Sequence, residues 1–383
     1  FMHKGLLPVF AQQSIRELTR TRRNYRDVID SAAWGIFQEG YSGKWGADAD
    51  HLKDKNNLLN AIKSGCTMFT IDTSDYLNEK AFDGSESLNS NKNQSTGNNQ
   101  SLSFKSIGKT NNIKSLLGRY SGKKIKIRNY ILKYDDFTIA ALFFVYGKAL
   151  DFVCEIYNFI KQNTPAFDFE VSFDETKTVT SFEAHYFIVN ELQLRNLGFT
   201  SLALRFPGEF FKGVDYVGDI KDFRRSIETH GEIANKAGNY KLSLHSGSDK
   251  FSIYPDFYKH SFGNFHIKTA GTSWLIALHV IAECNPELFR EIYNIAIDSF
   301  EINKKDYHLI LKLSELPQST SGSKDAELGS LPHDNRIRQC LHISYGAVLD
   351  KLANEVYEVL GRNEEKHYQF VSDYLNRHLD LLQ

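Results

Sequence analysis

The feature that most constrains this chain is a regular alternation between short β-rich segments and longer amphipathic segments. Repeated β/α units of this kind build a parallel sheet that is covered by helices. Eight strand candidates can be counted, at residues 7–13, 45–51, 67–73, 167–173, 201–206, 241–246, 264–269 and 339–345. Because eight β/α units close a barrel, the sequence predicts an α/β fold of the (β/α)8 TIM type, formed by a single domain over residues 1–383.

The segments between the strand candidates are helical by their periodicity. Apolar residues recur at three- and four-residue spacing over residues 24–37, 181–195, 219–237, 272–283 and 286–300. Residues 134–162 are apolar and aromatic at the same spacing and predict one or two packed helices. Residues 346–383 predict two C-terminal helices that pack on the outside of the barrel. Residues 83–112 are rich in Ser and Asn and predict a flexible surface insertion, and residues 318–334 predict a second polar loop.

The composition excludes several classes of partner. Forty-six Lys and Arg residues against forty-seven Asp and Glu residues give a formal charge of −1, so no global charge attracts nucleic acid or an anionic membrane. The longest apolar runs, such as residues 139–146, are shorter than the roughly 20 residues of a spanning helix. Four cysteines lie far apart without metal-type spacing, and we expect them to be reduced in a cytoplasmic protein.

Polar residues occupy one phase of the alternation in nearly all of the strand candidates. In a barrel this phase points inward or toward the mouth, where barrel enzymes place their catalytic residues. The polar residues are Asp48, Asp50, Asp72, Glu170, Ser172, Asp174, Arg205, Ser243, His245, His266, Lys268, His342 and Ser344. Burying so many ionisable groups without partners would cost several kcal/mol each. The pattern therefore predicts a functional site at the strand ends.

Two histidines on neighbouring strand candidates indicate a metal site. His245 and His266 face acidic residues from other strands (Asp50, Asp174 or Glu175), and together they supply the nitrogen and oxygen ligands of a divalent transition metal. For either histidine alone, a hydrogen-bonded imidazole in the core is the stronger interpretation. Around His245, however, the segment LSLHSGSDK (residues 242–250) is small and polar, as a loop that approaches a ligand would be.

Other side chains suit a polar, anionic substrate. Gln12 and Gln13 end the first strand candidate and could bind a polyol, although Ser14 in the same place also suits a helix N-cap. Cations that could hold an anionic group are Arg16, Arg205, Lys250 and Lys268; for Arg205 and Lys250 an ordinary salt bridge is an equal alternative. The run 269–273 could bind an anion through its backbone amides. The motifs GxGxxG, GxxxxGK[ST], HExxH and GxSxG are absent from the sequence.

Taken together, several segments resemble the metal-dependent tagaturonate epimerases, which interconvert D-tagaturonate and D-fructuronate in bacterial hexuronate catabolism. These segments are FAQQSIREL (10–18), WGADADHLK (45–53), FTIDTSDYL (69–77), SFDET (172–176), EAHYF (183–187), KGVDYVGD (212–219), KLSLHSGSDKFSIYP (241–255) and HIKTAGTSW (266–274). The resemblance implies a barrel with a divalent metal, such as zinc, manganese or nickel, in its mouth. Family members carry a further N-terminal region, so we expect either closure by residues 339–345 or a fragment that lacks one element.

The resemblance also implies a reaction. The two sugar acids differ at C4 while the ketone is at C2, so direct proton removal at C4 is a poor route. Retro-aldol cleavage of the C3–C4 bond, rotation of the aldehyde and re-addition is reasonable, with a metal polarising the C2 carbonyl. Transient oxidation at C4 would require a nicotinamide cofactor, for which no Rossmann fingerprint is present.

These expectations assign roles to named residues. The predicted metal ligands are Asp50, Asp174, His245 and His266; the predicted catalytic residues are Asp48, Asp72, Glu175 and Lys268; the predicted substrate-binding residues are Gln12, Gln13, Arg205, Ser243 and Lys250. A Schiff base at Lys268 would serve the same chemistry without a metal. The alternative functions are a metal-dependent aldolase or ketose isomerase acting on a related sugar acid, and a non-catalytic barrel that binds sugar acids. The expected partner is a small sugar acid, with neither nucleic acid nor membrane.

Overall fold

A computed structural model describes residues 5–78, 111–238, 240–269, 273–307, 309, 311–318, 320, 322 and 324–382. The predicted insertion at residues 83–112 lies outside these ranges except for its last two residues. Three residues of the run 269–273 also lie outside them.

The sheet consists of seven parallel strands in the order β1-β2-β3-β6-β7-β8-β9. Their bounds are β1 Val9–Ser14, β2 Gly46–Leu52, β3 Met68–Asp72, β6 Asp168–Phe173, β7 Ser201–Leu204, β8 Lys241–Leu244 and β9 Phe265–Ile267. Seven of the eight predicted strands are therefore present. An additional antiparallel hairpin, β4 Lys124–Ile127 with β5 Tyr130–Lys133, was not predicted.

Helices connect the strands and continue beyond the sheet. They are α1 Ile15–Thr21, α2 Tyr25–Gln38, α3 Lys55–Ser64, α4 Asn111–Tyr120, α5 Asp136–Asn163, α6 Phe182–Leu194, α7 Ile220–Ala237, α8 Tyr254–His260, α9 Ser273–Cys284, α10 Pro286–Asn303, α11 Asp325–Leu328, α12 Asn335–Ile343, α13 Tyr345–Arg362 and α14 Glu364–Asp380. Polar caps determine several of the helix starts. Ser14 and Glu17 form a capping box at α1, and the Asp54 carboxylate caps α3.

The prediction of an eighth strand at residues 339–345 is wrong, because most of this segment belongs to α12. The Asp334 carboxylate accepts hydrogen bonds from the amides of Arg336 and Ile337 and starts the helix. The five residues from Gln339 to Ile343 are all buried, which a half-buried strand would not allow. Among the described residues, the edges of β1 and β9 are therefore not joined by a further strand, and a closed eight-stranded barrel is not observed.

The apolar residues divide into two clusters. The larger cluster packs the sheet against α3, α5, α6, α7 and α8, and the smaller one lies among α9, α10, α12 and α13. Loops and helices of the smaller cluster reach the carboxyl ends of the strands. Tyr307 and His342 line the same cavity as residues of β2 and of the segment that follows β8. The second cluster thus supplies part of the wall of the candidate site.

The apolar segment at residues 134–162 forms the single helix α5. The Asp135 carboxylate accepts a hydrogen bond from the Thr138 amide at 2.7 Å and caps the helix. By length and composition alone, α5 could cross a membrane, and in the structure 56% of its most apolar 18-residue window is buried. Ile139, Val153 and Ile160 belong to the sheet core, so the apolar character of α5 is that of a central core helix.

Candidate active site

Six of the thirteen polar residues predicted at the strand ends line one cavity of about 300 Å³: Asp50, Asp72, Asp174, His245, Lys268 and His342. Because parallel strands present their carboxyl ends at the same edge, side chains from distant parts of the sequence meet there. The charged and aromatic residues that line the cavity are Arg16, Glu17, Asp50, His51, Lys53, Asp72, Asp174, Glu175, Lys212, His245, Lys268, Tyr307 and His342. This is the mouth in which the sequence predicted a functional site.

Lys268, just beyond β9, is the central cation of the site. Its Nζ donates hydrogen bonds to Asp48 Oδ2 at 2.9 Å, Asp50 Oδ1 at 2.5 Å and Thr70 Oγ1 at 2.6 Å, and it lies 3.1 Å from Glu170 Oε1. The side chain of Lys268 is only 7% exposed. One ammonium group therefore holds three buried carboxylates from β2 and β6.

The protonation states follow from this packing. Burial alone would lower the pKa of Lys268, but the three carboxylates raise it well above its usual range. Burial alone would raise the pKa of Glu170, but Lys268 and His245 hold it well below the usual value. For Asp48, burial prevails and the pKa is raised despite Lys268. The Lys268 amine is accordingly protonated at neutral pH, which disfavours the Schiff base because a nucleophilic amine must be neutral.

Two histidines are each oriented by a carboxylate. His245 Nε2 lies 2.7 Å from Glu170 Oε1, and His51 Nδ1 lies 2.7 Å from Asp50 Oδ1. The other ring nitrogens face two further carboxylates, since His245 Nδ1 lies 3.1 Å from Asp174 Oδ1 and His51 Nε2 lies 3.7 Å from Glu175 Oε1. The centroids of the two rings are 5.0 Å apart. Burial alone would lower the pKa of His245, but Asp174 and Glu170 raise it to about 10.

His51, Asp174 and His245 form a group that fits a divalent metal ion. One ligand atom from each residue lies within 4.8 Å of the others. His245 Nδ1 is buried without a hydrogen-bond partner among the described residues, although Asp174 Oδ1 is 3.1 Å away. Two imidazoles and one carboxylate suit a transition metal. The contacts from Asp50 and Glu170 to the far ring nitrogens are those that orient metal-binding histidines in proteins.

Several predicted residues lie elsewhere in the site. His266 is on β9 but lines a different cavity, between β1 and β9, so it does not meet the three grouped residues. Asp48 is 2% exposed beneath Lys268, and the Ser243 hydroxyl is buried without a hydrogen-bond partner among the described residues. Asp72 and Glu175 do line the cavity, with Asp72 3.4 Å from Lys53 Nζ.

Some of the predicted substrate-binding residues line the cavity and others do not. Gln12 lines the cavity, whereas the Gln13 amide oxygen is buried. Arg205 lies 3.1 Å from Glu209, which fits the alternative interpretation of an ordinary salt bridge. Lys250 is fully buried, and its Nζ donates to the carbonyl oxygens of Phe211, Val214 and Ser248 rather than reaching the cavity; burial lowers its pKa to about 7.

His51 was not among the predicted site residues, because side chains alternate along a strand and its side chain should point away from those of Asp48 and Asp50. His51 has a left-handed backbone with φ of 55°, and the pairing of β2 with β3 shifts register between Ala49 and Leu52. This irregularity brings His51 to the cavity. The signal in the sequence was the histidine that ends the segment GADADH.

The fold is a parallel sheet covered by helices, and acidic residues, histidines and a shared lysine line a cavity at the carboxyl ends of its strands. This arrangement is typical of barrel-like enzymes. A sequence model described as UxaE, tagaturonate epimerase, matches residues 1–382. A tagaturonate/fructuronate epimerase from Thermotoga maritima is 45% identical over 381 residues, which cover 99% of this chain and 76% of that protein. The chain therefore belongs to the tagaturonate epimerase family and is a carbohydrate epimerase, an enzyme of the isomerase class, as its sequence segments predicted.

Solved structures agree with this assignment. The fructuronate-tagaturonate epimerase UxaE from Cohnella laeviribosi, crystallised with one glycerol, has a TM-score of 0.90 and 36% identity to this chain. The match covers 98% of this chain and 76% of that one. The native crystal structure of the same enzyme gives the same values.

Proposed function

We propose that this chain interconverts D-tagaturonate and D-fructuronate by inverting the configuration at C4. The relatives of known structure and sequence carry this activity in their names. The observation that carries the proposal further is the arrangement of His51, Asp174 and His245 at a cavity of about 300 Å³, a size that accepts a six-carbon sugar acid.

We propose that His51, Asp174 and His245 hold a divalent metal ion, with Asp50 and Glu170 orienting the two imidazoles. When bound, the metal would supply a Lewis acid that polarises the C2 carbonyl of the substrate. This assignment differs from the ligand set predicted from sequence in two residues. His51 replaces His266, and Asp50 binds a histidine instead of the metal.

The proposed reaction begins with removal of the C4 hydroxyl proton by a carboxylate at the cavity wall. The C3–C4 bond then breaks, its electron pair stays with C3, and C4 becomes an aldehyde. After the aldehyde turns its other face, the bond re-forms and the proton returns to the C4 oxygen. Asp72 is the carboxylate that we assign to this proton transfer, because it lines the cavity. Within the described residues its partners are the Ser74 amide at 2.8 Å and Lys53 Nζ at 3.4 Å.

Lys268 has an electrostatic part in this proposal. Its ammonium lines the cavity and is held in the charged form by Asp48, Asp50 and Glu170. A fixed positive charge close to the substrate stabilises the negative charge that develops on the C1–C3 fragment when the C3–C4 bond breaks. The role requires no covalent bond to Lys268.

The test is NMR of D-tagaturonate incubated with the purified chain, with its metal content measured in the same sample. We expect about one metal ion per chain and D-fructuronate that ceases to form after treatment with a chelator. His245→Ala should lose both the metal and the turnover, and Lys63→Gln on the exposed face of α3 serves as the matched control. Metal-bound protein that produces no D-fructuronate would contradict the substrate, and three-carbon products alone would favour an aldolase.

We also propose a cytoplasmic location. Its support is chemical, because Cys66, Cys154, Cys284 and Cys340 are all free thiols in the structure.

A further inference from the structure

We propose that Lys212 and Arg16 form the subsite that holds the carboxylate of the sugar acid. This inference rests on the proposed function, since it deepens the same site. Of the four cations that the sequence suggested for an anionic group, Arg16 keeps this role, whereas Arg205, Lys250 and Lys268 do not.

The first support is the pairing of the cations around the cavity. Lys268 is shared by three carboxylates, and Lys53 lies 3.0 Å from Asp75 and 3.4 Å from Asp72. For Lys212 and Arg16, by contrast, no ion pair or hydrogen bond to a protein group is present within the described ranges. Two cavity-lining cations without a carboxylate partner are available to an anion from solution.

The second support is the way in which the Lys212 backbone is held. The carbonyl oxygen of Phe211, on one side, accepts a hydrogen bond from Lys250 Nζ at 2.8 Å. The carbonyl oxygen of Gly213, on the other side, accepts one from Arg338 Nε at 2.6 Å. Lys250 and Arg338 are therefore positioning residues that fix the loop from which Lys212 reaches the cavity.

The third support is the neighbouring wall. Arg16 lies over the ring of Tyr307, with its Cζ 5.1 Å from the ring centroid. His342 also lines the cavity, is 5% exposed, and has a buried Nδ1 without a hydrogen-bond partner in the described part of the chain. Burial, together with the charge of Lys212, lowers the pKa of His342 to about 3, so the imidazole is neutral and can donate or accept one hydrogen bond.

Apart from Glu17, the carboxylates of the cavity lie on elements other than those that carry Lys212 and Arg16. Asp50, Asp174 and Glu175 surround the two histidines on β2 and after β6 and β8. Glu17 is next to Arg16 in sequence, but its carboxylate accepts hydrogen bonds from the Ser14 amide at 2.8 Å and hydroxyl at 3.1 Å. Lys212, His342 and Tyr307 are neighbours in the wall and none of them is a carboxylate, so this part of the wall attracts an added anion.

The experiment compares an acidic and a neutral ligand of the same shape. KM and kcat for D-tagaturonate, and the inhibition constant of D-tagatose, are measured for the wild type, Lys212→Gln, Arg16→Gln and the control Lys63→Gln. Because a hydrogen bond to a charged group contributes about a tenfold or larger factor in affinity, each of the two variants should raise KM about tenfold. We expect kcat to change less than about threefold and the inhibition constant of D-tagatose to stay constant, since it has no carboxylate.

An unchanged KM in both variants would overturn the proposal. An inhibition constant of D-tagatose that rises as much as the KM of D-tagaturonate would also overturn it, because the residues would then bind hydroxyl groups or support folding. If the wild type does not convert D-tagaturonate, the proposed function fails and the subsite is tested by calorimetry with D-galactonate, an unreactive sugar acid. Tenfold weaker binding of D-galactonate to Lys212→Gln would then support the subsite alone, and equal binding would overturn it.

Discussion

Replacing Lys268 with methionine removes the one cation that Asp48, Asp50 and Glu170 share. The four side chains are almost completely buried, and the Nζ lies 2.5–3.1 Å from the three carboxylates. Removing one partner of a buried ion pair costs about 3–5 kcal/mol, because the remaining charge loses its compensation. We expect Lys268→Met to lose at least this amount of unfolding free energy at pH 8.

The loss should depend on pH in a definite direction. Without Lys268, burial and mutual repulsion raise the pKa values of the carboxylates above those of the unfolded chain. The folded variant then binds more protons than the unfolded chain between about pH 4 and the raised pKa values, so its stability falls as the pH rises through this window. Each carboxylate that takes up a proton recovers up to about 1.4 kcal/mol per pH unit, and the deficit at pH 5 should be smaller than at pH 8.

Urea unfolding followed by circular dichroism, in the presence of a chelator, measures these free energies. Lys55→Met is the matched control, because Lys55 pairs with Glu155 at the surface and both side chains are about half exposed. Such a pair contributes less than about 1 kcal/mol at either pH. A deficit of less than about 1 kcal/mol for Lys268→Met at pH 8, or a deficit that grows on acidification, would refute the reasoning.

Three further predictions concern metal binding, packing and pH. Asp174→Asn should weaken zinc binding by at least about tenfold with the fold retained, since even residues that only orient the ligands contribute about tenfold to hundredfold. Competition with a chromogenic chelator measures this affinity, and unchanged binding would exclude Asp174 as a ligand. Gly231→Ala should destabilise the chain by about 2 kcal/mol or more in urea unfolding, because a Cβ there would overlap the His260 carbonyl oxygen. Gly118→Ala, in an open helical position, should instead stabilise the chain by about 0.5–1 kcal/mol. Burial lowers the pKa of His230 to about 3, so the folded chain binds fewer protons than the unfolded chain between about pH 6.5 and 3, and stability falls on acidification. Over this window the unfolding free energy of the wild type should therefore fall by about 1.4 kcal/mol per pH unit more than that of His230→Gln. Equal dependence of the two unfolding free energies on pH would show that His230 is not held neutral.

The sequence predicted the strands of the sheet because most of them alternate apolar and polar residues with a period of two. That phase correctly placed Asp50, Asp174, His245 and Lys268 around one cavity. The same pattern failed at residues 339–345, where a short run of apolar and polar residues fits a buried helix equally well. The Asp334 cap and burial of the segment in the second apolar cluster, which forms from segments distant in sequence, together favour the helix.

His51 shows a different limit. Successive side chains of a strand point to opposite faces of the sheet, so the sequence pattern places Asp50 inside and His51 outside. The positive φ of His51 cancels the alternation and brings both side chains to the same cavity. Such backbone irregularities cost free energy and concentrate at functional sites, where the surrounding structure maintains them. A local pattern cannot predict them, because the compensating contact, Asp50 with His51 at 2.7 Å, exists only after folding.

The proposed metal group and the proposed carboxylate subsite act on opposite ends of the substrate. Under the retro-aldol route, C1–C3 form one fragment and C4–C6 the other, and the carboxylate belongs to the second. Inversion at C4 requires only that the aldehyde turn about the C4–C5 bond, which a carboxylate anchored at C6 permits. Binding at Lys212 and Arg16 would therefore retain the fragment while it turns. The metal group lies on β2 and directly after β6 and β8, and Lys212 and Arg16 come from other segments. The same separation predicts that weakening the carboxylate subsite releases three-carbon products that the intact enzyme keeps.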